Sequence, residues 1–327
     1  MATFSYDSKS KHAIVSDIGG TQIRTAVVNE TGTVITRNVI KTLPENGIND
    51  AAHRLTESAK KSIKTARVSS VCGLGVATAG PIDPSTGRYV DPPNLISWHD
   101  KTMKPLLEKS LGLPVWIGHD ATLAAFAETQ FGPHYGAKNL LYVTVSTGVG
   151  GGIITNGEMV IGKHGHAGEL GHITVRPGAE KCNVGCDGCL EGNVSGTAIG
   201  LIAAKTLKHR PDSQILKLAD NEYENITSKI VFDAADDGDP IAQQIVKQVI
   251  ENLGIGFGAL INIFDPDALV VGGGVMNGLK AYWVDLKQSV SKHSLKVYRS
   301  KLPLYQTTHG DDAGLIGAAA LVYRNSE

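Results

Sequence analysis

The sequence lacks the features of a membrane protein or of a secreted protein held together by disulfides. Its 327 residues contain no apolar run close to the roughly 18 residues needed to span a bilayer. The opening stretch, MATFSYDSKSKHAIVSD, has no apolar core of the kind that a signal peptide needs. Four cysteines are too few for a disulfide-rich scaffold of this length. We therefore expect a cytoplasmic protein with no membrane partner.

The sequence also lacks an excess of positive or negative charge and the common nucleotide-binding motifs. The formal net charge is −1, so nucleic acid is not an expected partner. Neither a P-loop nor a strict dinucleotide fingerprint occurs. The nearest approach to the fingerprint, Gly254, Gly256 and Ala259, lies in a helical stretch and indicates close helix packing. A nucleotide site in this chain would have to use other loops.

Glycine is abundant, and many of the 38 glycines follow apolar runs. The residue patterns predict strands at 12–17, 23–29, 33–37, 70–77, 113–117, 139–146, 153–155, 159–161 and 268–271. They predict helices at 50–65, 121–130, 196–218, 239–264 and 312–323. The sequence of strand, glycine turn, strand, tight turn and strand occurs near residue 12 and again near residue 139. This repetition predicts two related α/β domains with a cleft between them.

The predicted domains are unequal. A smaller N-terminal α/β domain is expected over residues 1–130, joined by a C-terminal helix at 312–327. A larger α/β domain is expected over residues 131–311 and contains the cysteine cluster and two of the glycine turns. No low-complexity linker separates the two, so the boundary is expected near a helix.

Three glycine turns are candidates for phosphate binding, because backbone N–H groups without side chains around them can approach a phosphate. The first is DIGGTQIR, in which Asp17 could also hold a hydrated magnesium ion. An ordinary hairpin turn is the alternative for this segment. The other two are STGVGGG at 146–152 and VGGG at 271–274. Three such turns, each after an apolar strand, predict several walls of one nucleotide site.

Six motifs occur in the order found in the ROK family, which is named for repressors, open reading frames and kinases. They are DIGGT, GVATAGPID, HDATLAAFAE, STGVGGGI, GELGH and CNVGCDGCLE. The similarity covers nearly the whole chain, and GELGH with the cysteine cluster is its most specific part. The resemblance implies a two-domain actin-like or hexokinase-like (ribonuclease H-like) ATPase fold with an interdomain cleft. It also implies a kinase that transfers the γ-phosphate of ATP to a sugar hydroxyl.

The resemblance further implies a role for individual residues. Asp120 matches the catalytic aspartate, the base that accepts the proton of the sugar hydroxyl, and it could also cap the helix that follows. The sugar contacts implied are Asn94, His119, Asp120, Glu169, His172 and Glu191. The ATP contacts implied are Asp17, Gly19, Gly20, Thr21, Thr147, Gly148 and Gly150, with Gly272, Gly273 and Gly274 bordering the adenosine.

In the family, the histidine of GELGH and three cysteines spaced C-x-C-G-x-x-G-C hold a structural zinc ion. Here Val184 occupies the middle cysteine position, and a cysteine follows two residues later. We expect zinc bound by a shifted set that would fix the loop carrying Glu191: His172, Cys182, Cys186 and Cys189. A weakened site, or one completed by Asp187, His164 or His166, is the alternative.

A second departure lies beside the catalytic aspartate. The family usually reads N-D-A-N there, whereas this chain has His119 and Thr122. His119 could contact a sugar hydroxyl with a different geometry, could alter the sugar preference, could mark a member without catalysis, or could be only a polar neighbour.

These observations predict an ATP-dependent glucokinase that phosphorylates the sugar 6-hydroxyl with Mg²⁺ as cofactor. Kinases of N-acetylmannosamine, N-acetylglucosamine and fructose share the motifs and remain alternatives. A sugar-sensing transcriptional regulator is disfavoured, since only 16 residues precede Asp17 and a helix-turn-helix segment needs more. Family members are often dimers or tetramers, so a homodimer or homotetramer is expected.

Overall fold

The computed structural model describes residues 4–90, 92, 95–210 and 212–326. Its strands are β1 Ser5–Tyr6, β2 His12–Ile18, β3 Gln22–Asn29, β4 Val34–Lys41, β5 Ser70–Val71, β6 Leu74–Thr78, β7 Ile82–Asp83, β8 Arg88–Tyr89, β9 Val115–His119, β10 Leu140–Val145, β11 Val149–Thr155, β12 Glu158–Met159, β13 Ala268–Gly272 and β14 Leu304–Gln306. Its α-helices are α1 Ile48–Ala66, α2 Lys104–Leu111, α3 Asp120–Gln130, α4 Leu190–Val194, α5 Gly196–Leu207, α6 Gln214–Leu218, α7 Ser228–Asp236, α8 Pro240–Phe264, α9 Gly274–Gly278, α10 Trp283–His293, α11 Lys296–Arg299 and α12 Ala313–Ser326. Within the described part of the chain, no helix is both long and apolar enough to span a bilayer.

The first sheet has the strand order β4-β3-β2-β6-β9. Strands β2, β6 and β9 are parallel, while β3 and β4 pair antiparallel beside them. Alternate residues of β2 serve two cores: Ile14 and Ile18 pack with α1 and α2, whereas Ala13 and Val15 pack with α12. Since both faces of the strand are buried, its sequence reads as a nearly continuous apolar run.

The second sheet has the strand order β12-β11-β10-β13-β14. Strands β10, β13 and β14 are parallel, and β11 and β12 form an antiparallel hairpin. Asn156 and Gly157 turn that hairpin with positive φ angles of 51° and 82°, as a tight two-residue turn requires. Counted along the chain, both sheets have the order third, second, first, fourth, fifth. The repetition in the sequence therefore corresponds to a repeated strand order.

The chain forms two compact units. The first comprises Met1–Lys138, Gly152–Gly168 and Thr308–Glu327, and the second comprises Asn139–Gly151 and Glu169–Thr307. Helix α12 belongs to the first unit because it packs on the first sheet. Whether the units correspond to the domains proposed from the sequence, at 1–130 and 131–311, stays a prediction.

Several predicted elements differ from the structure: the stretch at 196–218 contains the two helices α5 and α6, and the strand predicted at 159–161 is β12 at Glu158–Met159. The strand predicted at 70–77 is two strands: β5 pairs with β1, whereas β6 pairs with β2 and β9. The chain changes course at Gly73, where a Cβ atom would lie 2.5 Å from the ring of Trp116. The glycine turn predicted at 146–152 is shorter, since β11 already begins at Val149. Glycine is needed inside β11 because a Cβ atom at Gly152 would lie 2.3 Å from the carbonyl oxygen of Ala121.

Candidate active site

The carboxyl edge of the first sheet collects the polar residues that follow its parallel strands. Ile18 lies opposite Thr78 in the register of β2 and β6, and Thr78 lies opposite His119 in that of β6 and β9. The three strands therefore end side by side. Open α/β sheets bind their ligands at this edge, so the first turn and the start of α3 are placed where a ligand site is expected.

The first glycine turn joins β2 to β3. The N–H of Gly19 donates to the carbonyl oxygen of Gln22 at 2.9 Å, which closes the turn. The hydroxyl of Thr42, just after β4, donates to the carbonyl oxygen of Gly19 at 2.6 Å. Gly20 is half-buried and Thr21 is exposed. The segment is thus a hairpin turn, as one interpretation expected, and its backbone remains accessible to a ligand.

Asp17 lies at the end of β2 and is 8% exposed. Across the β2–β3 register it faces Arg24, whose guanidinium donates to Asp17 Oδ2 and to the carbonyl oxygen of Asp311, the latter at 2.6 Å. Burial raises the pKa of Asp17 to about 6; Arg24 opposes the rise, and the negative charge of Asp120 adds to it.

Asp120 is the first residue of α3, and the N-cap position belongs to His119. The expectation that Asp120 caps the helix is therefore wrong by one position. Its Oδ1 accepts the N–H of Ala121 at 2.6 Å and lies 3.3 Å from Nε2 of His119. The side chain is 42% exposed, and the start of a helix favours a negative charge. This carboxylate is held in one orientation and is open to a substrate.

In the second unit, the second and third glycine turns border one cavity of about 470 Å³, whose lining includes Ser146, Thr147, Gly196, Thr197 and Gly274. The N–H of Gly196 donates to the carbonyl oxygen of Ser146 at 2.6 Å, and the hydroxyl of Thr197 donates to that of Thr147 at 2.9 Å. The first turn, with Gly19 and Gly20, belongs to the first unit.

The third turn requires a glycine. Gly273 has a φ of 98° and precedes α9, and a Cβ atom there would lie 2.4 Å from the carbonyl oxygen of Val145. Because Gly273 has no side chain, the backbone after β13 can lie directly against Val145 at the end of β10. Gly272 ends β13 and Gly274 begins α9.

The three predicted sugar contacts with described positions in the second unit are Glu169, His172 and Glu191. Oε2 of Glu169 lies 3.7 Å from Nε2 of His172, across a single 3₁₀ turn. Glu191 is the second residue of α4, and its Oε2 accepts the N–H of Val149 at 2.9 Å. Glu191 therefore contacts the second glycine turn. The predicted contact Asn94 lies outside the described residues.

Three of the four predicted zinc ligands form a compact donor set. The ligand atoms of His172, Cys182 and Cys186 lie within 4.8 Å of one another, with 3.7 Å between Cys182 Sγ and His172 Nδ1. Cys189 is the N-cap of α4, where its Sγ accepts the N–H of Gly192 at 3.4 Å, and it is not part of the three-residue group. Burial raises the pKa of Cys189 to about 11, and the neighbouring Cys182 and Cys186 add to the rise. Three sulfurs and one imidazole are an ordinary donor set for tetrahedral zinc.

Comparison with known proteins decides the family. The ROK family matches residues 13–325 of this chain. The protein belongs to the ROK family. The family predicted from the motifs is thus confirmed. A glucokinase from Halalkalibacterium halodurans is 36% identical over 314 residues, which cover 94% of this chain and 93% of that protein.

Solved structures of ROK proteins share the fold. A ROK hexokinase from Thermus thermophilus matches with a TM-score of 0.82 and 33% identity, covering 96% of this chain and 98% of that one. A ROK glucokinase from Streptomyces griseus, solved in complex with glucose and AMPPNP, matches with a TM-score of 0.80 and 30% identity, covering 95% and 98%. The predicted actin-like and hexokinase-like fold is confirmed.

Regulators also occur among the ROK relatives. The transcriptional dual regulator NagC of Escherichia coli is 30% identical over 86% of this chain and 68% of its own length. One fold therefore serves both enzymes and regulators, and the function of this ROK protein must be argued from its site.

Two features of the site were missed from the sequence of this ROK protein. Arg24 faces Asp17 across a hairpin, and counting residues outward from Gly20 and Thr21, the centre of the turn, would have paired them. The contact between Glu191 and Val149 joins residues 42 positions apart, and no local pattern indicates it.

Proposed function

We propose that this ROK protein is an ATP-dependent glucokinase that transfers the γ-phosphate of ATP to the 6-hydroxyl of glucose. The observation that carries the proposal is the accessible carboxylate of Asp120, which lies at the same carboxyl edge of the first sheet as Asp17. Phosphoryl transfer needs a group that accepts the hydroxyl proton, and it needs compensation of the charge on the phosphates. The similarity to proteins that are named as glucokinases supports the same assignment.

In the proposed reaction, Asp120 accepts the proton of the sugar 6-hydroxyl. The sugar oxygen then forms a bond to the γ-phosphorus, the bond from that phosphorus to the β,γ-bridging oxygen breaks, and ADP leaves. The sugar is oriented by Asn94, His119, Glu169, His172 and Glu191. The nucleotide is held by backbone groups of the three turns: Gly19, Gly20, Thr21, Thr147, Gly148, Gly150, Gly272, Gly273 and Gly274.

Asp17 is proposed to serve the magnesium ion that accompanies ATP. Magnesium, when bound, supplies positive charge for the phosphate oxygens. The pKa of Asp17 is about 6, so the carboxylate is ionised at neutral pH. Arg24 fixes its orientation by donating to Oδ2.

The cysteine cluster is proposed to hold a structural zinc ion through His172, Cys182, Cys186 and Cys189. The spacing differs from the usual family pattern, yet His172, Cys182 and Cys186 converge on one another, and Cys189 would complete the set. Cys189 is the N-cap of the helix that carries Glu191, so a metal held there would fix the position of this carboxylate.

Kinases of N-acetylmannosamine, N-acetylglucosamine or fructose remain the alternatives within the enzyme class. A regulatory role is supported less, because the near-neutral charge does not favour DNA and a sensor needs no catalytic base. A homodimer or homotetramer in the cytoplasm is part of the proposal.

The proposal is tested by ADP release from the purified protein with magnesium and ATP. Glucose, fructose, mannose, N-acetylmannosamine and N-acetylglucosamine are assayed in parallel. The proposal expects the highest kcat/KM with glucose. A higher value for an N-acetylated sugar would replace the substrate, and no turnover with any of the five would contradict the kinase assignment.

A further inference from the structure

Glu191 reaches into the second glycine turn. Its Oε2 accepts the N–H of Val149 at 2.9 Å. Val149 is the first residue of β11. A Cβ atom on Gly148 would lie 2.7 Å from the same oxygen. The carboxylate therefore occupies the space that any larger residue at position 148 would fill, and glycine there lets it reach the backbone.

The remaining backbone of the turn is held by the start of α5. The carbonyl oxygens of Ser146 and Thr147 accept hydrogen bonds from Gly196 and Thr197. These contacts fix one side of the turn through main-chain oxygens. Glu191 fixes the other side through an N–H group and adds a charge, and hydrogen bonds to charged groups contribute more than neutral ones.

We propose that Glu191 is a positioning residue for the nucleotide phosphates in addition to its sugar contact. One carboxylate oxygen holds the phosphate turn, and the other engages a hydroxyl of the sugar. Sugar and nucleotide binding are thereby coupled through a single side chain. This inference rests on the proposed function, because it takes the second turn as a phosphate site and Glu191 as a sugar contact.

The coupling has a definite sign. A sugar that holds the carboxylate in place also holds the turn, so glucose raises the affinity for nucleotide. Linkage requires that nucleotide raise the affinity for glucose by the same factor. Couplings of this kind are commonly about 5-fold to 150-fold.

Two substitutions at position 191 separate its roles. Glu191→Asp keeps the charge but is one methylene too short to reach Val149. Glu191→Gln keeps the length, and its amide oxygen can accept the same N–H, but the charge is lost. The matched control is Glu180→Asp, which shortens an exposed glutamate of the same unit that pairs with Lys205.

The measurement is calorimetric titration of the full-length protein with Mg·ADP, without glucose and with saturating glucose. We expect Glu191→Asp to weaken ADP binding on the order of tenfold and to reduce the glucose effect to less than about twofold. Glu191→Gln is expected to bind ADP within about threefold of wild type while binding glucose roughly tenfold more weakly. Glu180→Asp should match wild type in both.

Unchanged ADP affinity and an unchanged glucose effect in Glu191→Asp would overturn the inference and leave Glu191 as a sugar contact alone. If Glu191→Asp fails to fold, Gly148→Ala tests the same contact from the turn, since its Cβ displaces Oε2; wild-type ADP affinity in that variant would also overturn it. Failure of the proposed function is distinguishable. Wild-type protein that binds ADP but no glucose would contradict the glucokinase assignment, while the effect of Glu191→Asp on ADP alone would still test the contact.

Discussion

The two sheets have the same strand order, but their glycine turns obtain a carboxylate in different ways. In the first sheet, Asp17 lies on the strand itself, buried and paired with Arg24. In the second, the turn has no acid of its own between residues 146 and 152, and Glu191 reaches it from α4. The carboxylate of Asp17 is held by Arg24, but its burial removes it from water, which disfavours its ionised form. The position of Glu191 depends on the start of α4, whose N-cap is Cys189, a residue of the proposed zinc site.

The comparison is tested most strongly at Asp17. We expect Asp17→Asn to lower kcat/KM by about 10² to 10³, the usual loss when one electrostatic contact to a transition state is removed. The same variant should be more stable than wild type at pH 7.5 by about 1 to 2 kcal/mol, because the ionised form of this buried group is disfavoured.

The effect of Asp17 on stability should depend on pH in a definite direction. The folded-state pKa of Asp17, about 6, lies above its ordinary value of 3.8. Its contribution to stability is therefore fully present below pH 3.8 and is lost as the pH rises through 6. Urea unfolding of wild type and Asp17→Asn in EDTA should diverge between these values. Asp100→Asn, at an exposed partner of Arg88, is the control; equal pH profiles for Asp17→Asn and wild type would contradict the account.

The dependence of Glu191 on the proposed zinc site is tested at Cys189, the N-cap of its helix. Cys189→Ser is expected to release bound zinc, to lower the free energy of unfolding by about 2 to 4 kcal/mol, and to raise the KM for glucose on the order of tenfold. Metal content per chain is measured by elemental analysis and stability by urea unfolding. Cys72→Ala, which removes a core thiol of the first unit, should keep its metal; unchanged metal in Cys189→Ser would refute the zinc assignment.

The smallest expected effect concerns Glu251, whose pKa is lowered by its surroundings, whereas that of Asp17 is raised. Hydrogen bonds from Lys292 and His293 lower the pKa of Glu251 to about 2 from an ordinary 4.5. Its stabilisation is present above pH 4.5 and is lost as the pH falls through 2. Because the side chain of Glu251 is 45% exposed, Glu251→Gln should cost only about 0.5 kcal/mol at pH 7 and nothing near pH 2. Thermal unfolding across this range measures the difference, and a constant difference would contradict the assignment.

The sequence predicted the sheets well because local patterns encode them. The run at 12–17 and the helix at 50–65 correspond to β2 and α1. The predictions failed where a distant residue decides the local path. Trp116 crowds Gly73 where the predicted strand divides, and the backbone of α3 requires a glycine at position 152 inside β11.

The site was predictable in part. Motifs predicted Asp17 and Asp120 as site residues, and the parallel strands of one sheet place both at its carboxyl edge. The partner of Glu191 was not predictable, since it is a backbone N–H far away in the chain. Main-chain groups have no residue type by which a motif could reveal them.

The most direct test is ADP release with glucose by wild type and Asp120→Asn, with glucose affinity measured in parallel. A positioned base contributes about 10² to 10⁴ to the rate, so kcat should fall by that factor while glucose still binds within a few-fold of wild type. A variant that retains more than about a tenth of the wild-type kcat would show that Asp120 is not the base and would contradict the account of the active site.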